Sequence, residues 1–370
     1  MTSTYDVLIV GAGIVGAACA AEAVRARLKT AIVDAKMIGG GATAAGMGHL
    51  VVMDDSEAQF ALTNYSCKIW RELKDELPET IEYDACGTIW VATDDDEMAE
   101  VRRKESYYRD RGVSVEVLDA KSLSAAEPNL RRGLIGGLRI PNDSVIYPPC
   151  AAKFFVDRAV AGGAAVFLGK QVAKIEDDVI HLSDGSSIAA GIVVNAAGSW
   201  SPSLTSGIDV KKRKGHLLIT DRYPMFLRHQ LVELGYLKSA HSVTADSVAF
   251  NIQPRKTGQM LIGSSRQFGV ETTQIEQGIM SRMLARALEY MPGLSHLSSI
   301  RSWTGFRAAT PDKLPLIGPD VRHKNVYLAT GHEGLGITTS VGTARLLFDQ
   351  ILSRSSEIPF DVYLPQRFSM

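Results

Sequence analysis

Hydrophobic and polar positions divide this chain into two kinds of segment. In the first kind a short, continuous apolar run is followed by glycine and then by a helix-period stretch of small residues. Residues 5–10 (YDVLIV) are such a run. Residues 14–27 follow as an alanine-rich helix and residues 30–34 (TAIVD) as a second buried strand, which makes a β-α-β unit. Apolar runs of this type return at 164–168 and at 191–198 (GIVVNAAG). The last, 326–330 (VYLAT), feeds a helix over 338–352. The second kind is mixed. Residues 87–93 predict a strand, 96–111 a charged helix and 113–118 a short strand, while 214–302 combines strands with one helix over 273–290. Between the two kinds lie amphipathic helices at 56–77 and 148–162, and hairpin-like strands at 172–176, 179–182 and 187–189, turned at Asp184-Gly185.

Parallel-sheet signals thus stand at the start, middle and end of the chain. They predict an α/β fold: a discontinuous Rossmann-like nucleotide domain of residues 1–80, 145–213 and 303–370, with an inserted mixed-sheet α+β domain of residues 81–144 and 214–302. A chain of 370 residues has room for two cores.

Composition narrows the function. Forty Lys and Arg against forty-one Asp and Glu leave a net charge of -1, which removes the whole-chain case for nucleic acid. One basic run, Lys211-Lys212-Arg213-Lys214, reads as a solvated turn. The four cysteines, Cys19, Cys67, Cys86 and Cys150, form no CxxC pair, so neither a metal nor an iron–sulfur site is expected. They read as thiols of a reducing, cytoplasmic compartment. The opening apolar run is about fifteen residues long, short of the roughly twenty that a membrane span needs.

The first turn, GAGIVG, carries the clearest chemistry. Gly11 allows the tight turn, Gly13 lets backbone approach a pyrophosphate, and Gly16 lets the helix pack close to the sheet. The helix N-terminus then offers free N–H groups and a positive dipole end to phosphate. Asp34, at the end of the second strand, can accept from a ribose 2′-OH, which argues against a 2′-phosphate and hence against NADP. The motif alone does not separate NAD from FAD. Three further glycine- and alanine-rich turns do: residues 38–51 (IGGGATAAGMGHLV), 193–201 (VVNAAGSWS) and 329–344 (ATGHEGLGITTSVGTA). A nucleotide gripped by loops from start, middle and end is long and buried, as FAD is.

These motifs, with SWTGFRAATPDKLPLIGP at 302–319, resemble in order those of the D-amino-acid oxidase and glycine oxidase superfamily of FAD enzymes, over essentially the whole chain. Within it, GATAAGMGHLVVMDD and GHEGLGITTSVGTARLL are most similar to the β subunit of bacterial D-hydroxyproline dehydrogenases. Related chains include catalytic subunits of opine oxidases and hydrogen cyanide synthase. The resemblance implies an FAD domain of the glutathione-reductase type. It also implies site roles. Gly11, Gly13, Ile14, Val15 and Gly16 would meet the pyrophosphate, and Asp34 the adenosine ribose. Ala42, Thr43, Ala45, Gly46 and Met47 would line the ribityl chain and flavin, and Val172 the adenine. Ala197, Gly198 and Trp200 would close one side. Gly334, Leu335, Gly336, Ile337 and Thr338 would present N–H groups and a helix N-terminus to the flavin edge where negative charge gathers on reduction.

The chain also departs from the family. Glycine oxidases carry an aromatic-Arg-Asn triplet where Glu333-Gly334-Leu335 stands here, so a second cation expected at the flavin is missing. No cysteine follows Cys150, so non-covalent FAD is expected. Arg307 matches the family's arginine for the substrate carboxylate, which planar bidentate recognition favours. Arg266 is a second candidate. His49 is either a polar group at the ring or a histidine bonded to backbone. His332 would brace the last loop, and Glu333 faces solvent or pocket. The implied reaction is hydride transfer from Cα–H of a D- or secondary amino acid, best D-hydroxyproline, to flavin N5, in a catalytic subunit with redox partner subunits. The alternatives are an oxidase using O2 in the manner of glycine or sarcosine oxidase, an opine oxidase subunit, and a flavin subunit that only relays electrons.

Overall fold

In a computed structural model of the chain, residues 4–176, 178–235 and 246–368 are described; positions 236–245 of the 214–302 segment lie outside them. The chain opens with β1 (Thr4–Val10), α1 (Ile14–Arg25), β2 (Thr30–Asp34), α2 (Gly41–Ala45), β3 (His49–Leu50) and α3 (Glu57–Leu73). Then come β4 (Thr88–Ala92), α4 (Asp95–Arg109), β5 (Glu116–Asp119), α5 (Ala120–Ala126), β6 (Gly136–Ile140), β7 (Ser144–Val145) and α6 (Pro148–Ala161). The middle holds β8 (Ala165–Leu168), β9 (Val172–Glu176), β10 (Val179–Leu182), β11 (Ser187–Asn195) and α7 (Ser201–Leu204). After it follow β12 (Lys211–Thr220), β13 (Gln230–Glu233), β14 (Ser247–Pro254) and β15 (Met260–Phe268). The chain closes with α8 (Gln277–Tyr290), β16 (Ser299–Ala309), β17 (Leu316–Pro319), β18 (Val326–Thr330) and α9 (Gly336–Ile351).

Two large sheets organise these elements. The first runs β17-β18-β11-β1-β2-β8, with the β9–β10 hairpin joined to β11. Strands β18, β11, β1, β2 and β8 are parallel. Strand β1 is central, and Val7, Leu8 and Ile9 are wholly buried, which is why its apolar run does not alternate. Helix α1 can lie close to this sheet because most of what it buries is small: Gly16, Ala17, Ala18, Cys19, Ala20 and Ala23. Small residues also let neighbouring helices close in: a Cβ on Gly162, after α6, would stand 2.0 Å from Val24 of α1. The second sheet runs β16-β12-β15-β14-β13-β4-β6-β5. One of its faces packs on α8 through Leu231, Phe250, Ile252 and Met283. The other face looks toward the first sheet.

Three expectations change. The basic run is not a solvated turn: it begins β12, and Arg213 and Lys214 are buried. Each cation has its own carboxylate, Glu333 for Arg213 and Glu276 for Lys214, and this pairing makes burial tolerable. The helix expected from residue 273 starts only at Gln277. Glu276 is held out of it because its N–H donates to His216 Nε2 at 3.1 Å and its carboxylate serves Lys214. Finally, residues 187–189 and 191–198 are not two strands. Strand β11 is continuous from Ser187 to Asn195, pairing antiparallel with β10 at its start and parallel with β1 beyond.

Candidate active site

A cleft of about 540 Å³ runs between the two sheets. Its first half lies at the carboxyl ends of β1, β2, β8, β11 and β18, the crevice where open α/β sheets bind ligands. Gly11 follows β1 with φ +107°, and a Cβ there would stand 2.6 Å from the Ala196 carbonyl oxygen, so no other residue fits the turn. Gly13 caps α1 with no side chain of its own, leaving the helix N-terminus facing the cleft. Of its N–H groups, that of Ile14 donates to Thr43 Oγ1 at 3.0 Å, which ties α2 to α1. The Asp34 carboxylate is aimed by two backbone donors, the Ala12 and Lys36 N–H groups, each at 2.7 Å.

The loop around α2 is fastened to the second sheet. The Gln253 amide donates to the Met47 carbonyl at 2.7 Å, and a Cβ on Gly305 would stand 2.3 Å from that of Ala45. The cleft therefore continues without a break from a phosphate-suited helix end to the inner face of the second sheet. An elongated dinucleotide fits such a cleft, with its pyrophosphate end at Gly13 and its redox end between the sheets.

All but two of the residues expected at the cofactor line this cleft. Gly16 and Thr338 do not. Gly16 stands behind the turn, where a Cβ would lie 1.9 Å from the Gly11 oxygen. Its place is helix–sheet packing. Thr338 is fully buried, and its hydroxyl donates to the His49 carbonyl at 2.9 Å. It supports the loop rather than facing the cleft. Trp200, half exposed, lines the outer part.

Arg307 and His49 are both brought to the wall of the inner half. Arg307, on β16, lies directly across from Arg213 on β12. Its Nη1 donates to the Ser265 carbonyl at 3.0 Å. Gly215 makes room for it, since a Cβ there would stand 2.5 Å from that nitrogen. Arg266 lines the wall as well. His49 Nε2 is 3.1 Å from the Gly334 carbonyl, so the imidazole is bonded to backbone. Glu333 turns to Arg213. The structure thus brings a cation to the last loop after all, from β12 instead of the 333–335 triplet. His332 braces the loop through Thr343 Oγ1 at 2.9 Å.

Burial pushes the His49 imidazole down to about 4, helped by the charge of Arg307 and opposed by the Gly334 bond. Burial pushes His332 down to about 3. Both rings are neutral at pH 7. Below 6.5 the unfolded chain binds protons that these two folded rings refuse. Their contribution to stability is whole above pH 6.5 and is lost as pH falls toward 4, at roughly 1.4 kcal/mol per pH unit for each ring. Asp143, raised by burial to about 7, acts in the opposite sense. The histidine part is therefore read by difference: between pH 6.5 and 5, wild type should lose about 2 kcal/mol relative to His332→Gln. Denaturant unfolding at the two pH values measures it, and parallel losses would show that His332 is already hydrated.

The sequence reading missed the cavity side of β4, β13 and β14, where Trp90, Gln230 and Asn251 line the cleft. Their signal was present as polar or amphipathic residues alternating with Ile89, Val91, Leu231 and Ile252. Among the described residues no cysteine lines the cleft, and no group of three potential metal ligands occurs.

Comparison with known proteins places this geometry. Residues 6–350 match the family described as FAD dependent oxidoreductase, DAO. The chain is 28% identical to glycine oxidase of Geobacillus kaustophilus, over 98% of this chain and 96% of that one. It is 27% identical to the hydrogen cyanide synthase subunit HcnC of Pseudomonas protegens, over 100% and 97%. The crystal structure of the Geobacillus kaustophilus glycine oxidase superposes with a TM-score of 0.89 at 26% identity, covering 99% of both chains.

Proposed function

This chain belongs to the DAO family of FAD-dependent oxidoreductases, and from that premise we propose that it oxidises a D- or secondary amino acid, D-hydroxyproline by our assignment, to its imine. It is an FAD-dependent amino-acid oxidase or dehydrogenase by family. The observation that supports the amino-acid reading is Arg307, a guanidinium held on the inner wall by Ser265, with Gly215 of the neighbouring strand leaving room for it.

Bound FAD supplies the two-electron acceptor. The protein does the rest by binding and orientation. Arg307 holds the substrate carboxylate in a two-pronged bond. His49, kept neutral and bonded to Gly334, adds no charge beside the reacting carbon, and the apolar wall of Met47 and Leu217 keeps water from it. Gly11, Gly13, Ile14 and Val15 are assigned to the pyrophosphate, Asp34 to the ribose, and Gly334 to Ile337 to the flavin edge. We assign residues 1–80, 145–213 and 303–370 to the FAD domain and 81–144 and 214–302 to the substrate domain, with the cuts at 213 and 303 falling inside β12 and β16. We also assign the chain to the cytoplasm, a reading its four free thiols support. Among the described residues no helix is long and apolar enough to cross a membrane.

We further propose that electrons pass to a partner subunit. The whole-length likeness to a hydrogen cyanide synthase subunit supports this, and the likeness to glycine oxidase favours the second reading, direct use of O2. Anaerobic mixing with D- and L-amino acids, including both hydroxyproline epimers, sarcosine and glycine, should bleach the flavin absorbance. Dye-linked turnover should then exceed peroxide production under air by at least tenfold. Equal rates would make the chain an oxidase. An unbleached flavin with every amino acid would leave a relay subunit.

A further inference from the structure

We propose that the inner half of the cleft selects amino acids whose side chain carries an uncharged hydrogen-bonding group, a hydroxyl above all, and that Trp90, Gln230 and Asn251 read it. This rests on the amino-acid reading above and specifies it. The three residues lie on adjacent strands β4, β13 and β14 and share one face of the second sheet, since Trp90 pairs with Val232 and Val232 with Asn251. Alternate residues of the same strands, Ile89, Leu231 and Ile252, form the core on the far face. These polar residues are therefore the cleft-facing side of a two-sided sheet.

All three are buried, at 3%, 3% and 7% exposure. Among the described residues, Trp90 Nε1, Gln230 Oε1 and Asn251 Oδ1 have no hydrogen-bond partner. A buried polar atom without a partner destabilises by about 1–3 kcal/mol, and native chains leave few of them. Three on one face of the sheet, all on the wall of one cleft, form a surface shaped for a ligand that supplies the missing bonds. An indole N–H only donates, whereas an amide donates or accepts according to its orientation. A hydroxyl, which does both at once, satisfies the pair. This stretch of wall, Thr88, Trp90, Gln230, Val232 and Asn251, contributes no charged side chain of its own, and the Lys104 ammonium over the Trp90 ring is already paired with Asp54.

The placement matches the carboxylate anchor. Arg307 reaches across β12 to the Ser265 carbonyl of β15, and Asn251 of β14 pairs with Gly263, two residues away along that strand, so the guanidinium ends about 8 Å from the Asn251 backbone. That gap is the length of one small amino acid, held at its carboxylate by the arginine and at its side chain by the asparagine.

The test uses the FAD-loaded protein and matched pairs that differ by one hydroxyl: serine and alanine, and 4-hydroxyproline and proline, each in both configurations. The readout is the ratio of kcat/KM within a pair. In wild type the hydroxylated member should lead by on the order of a hundredfold in the preferred configuration. Gln230→Leu and Asn251→Leu should each shrink that ratio at least tenfold. A wild-type ratio near one, with clear turnover of both members, overturns the inference and leaves amino-acid oxidation standing. So does a ratio that neither variant changes, or D-lysine or D-aspartate outrunning the hydroxylated compounds. If no amino acid reduces the flavin, the parent reading falls and this one with it. The wild-type ratio needs no variant, so a variant that fails to fold does not shield the proposal.

Discussion

Gly13→Glu should yield a folded protein that purifies without FAD. Gly13 has φ −66° and an ideal Cβ there meets only Thr43 Oγ1, at 3.3 Å, so the backbone accepts a side chain. The new carboxylate would sit at the N-terminus of α1, where the helix dipole favours it. That is the place assigned to the pyrophosphate, and the same field cannot serve both anions. Affinity for FAD should fall at least a hundredfold, about 3 kcal/mol. Flavin absorbance per polypeptide gives the result, and the far-UV circular dichroism spectrum shows whether the fold survives. Gly16→Val is the contrast. Its Cβ would strike the Gly11 oxygen at 1.9 Å, so that variant should lose the fold along with the flavin. A full complement of FAD in Gly13→Glu would mean that the pyrophosphate does not cross this turn.

Arg307→Ala should leave FAD binding intact and lower kcat/KM for the amino acid by a hundredfold or more, about 3 kcal/mol. The guanidinium is placed by β16 and steadied by the Ser265 carbonyl, and its partner across the strands, Arg213, is engaged by Glu333. Arg213 therefore cannot take over the two-pronged grip without leaving its carboxylate behind. Arg307→Lys restores the charge but not the planar fork, so it should recover only part of the loss. Near-normal turnover of Arg307→Ala would move the clamp to Arg266, the other arginine proposed for this wall.

Local rules accounted for the nucleotide half of the molecule. Residues 5–34 name their own structure, because strand, tight turn, small-residue helix and acid follow one another within thirty positions. The turn requires Gly11 for its backbone angle and Gly16 for its clearance, and neither need depends on anything distant in the chain beyond the neighbouring strand. The loops at 38–51 and 329–344 announced themselves through glycine content for the same reason. His49 and Glu333 were different. Each had two readings, and only the approach of Gly334 to one and Arg213 to the other chose between them.

Only the family resemblance singled out Arg307, whereas the chain read alone announces a glycine turn suited to a dinucleotide's pyrophosphate and three returns to one parallel sheet. Those features are written in short windows, where backbone sterics and hydrophobic period act residue by residue. Tertiary structure alone decided that four basic residues begin a strand, that Arg213 faces Arg307, and that Trp90, Gln230 and Asn251 share one wall. The reason is physical. Burial of a charge or an amide is tolerated only when a partner arrives to meet it, and here each partner lies elsewhere in sequence: Glu333 is 120 positions from Arg213.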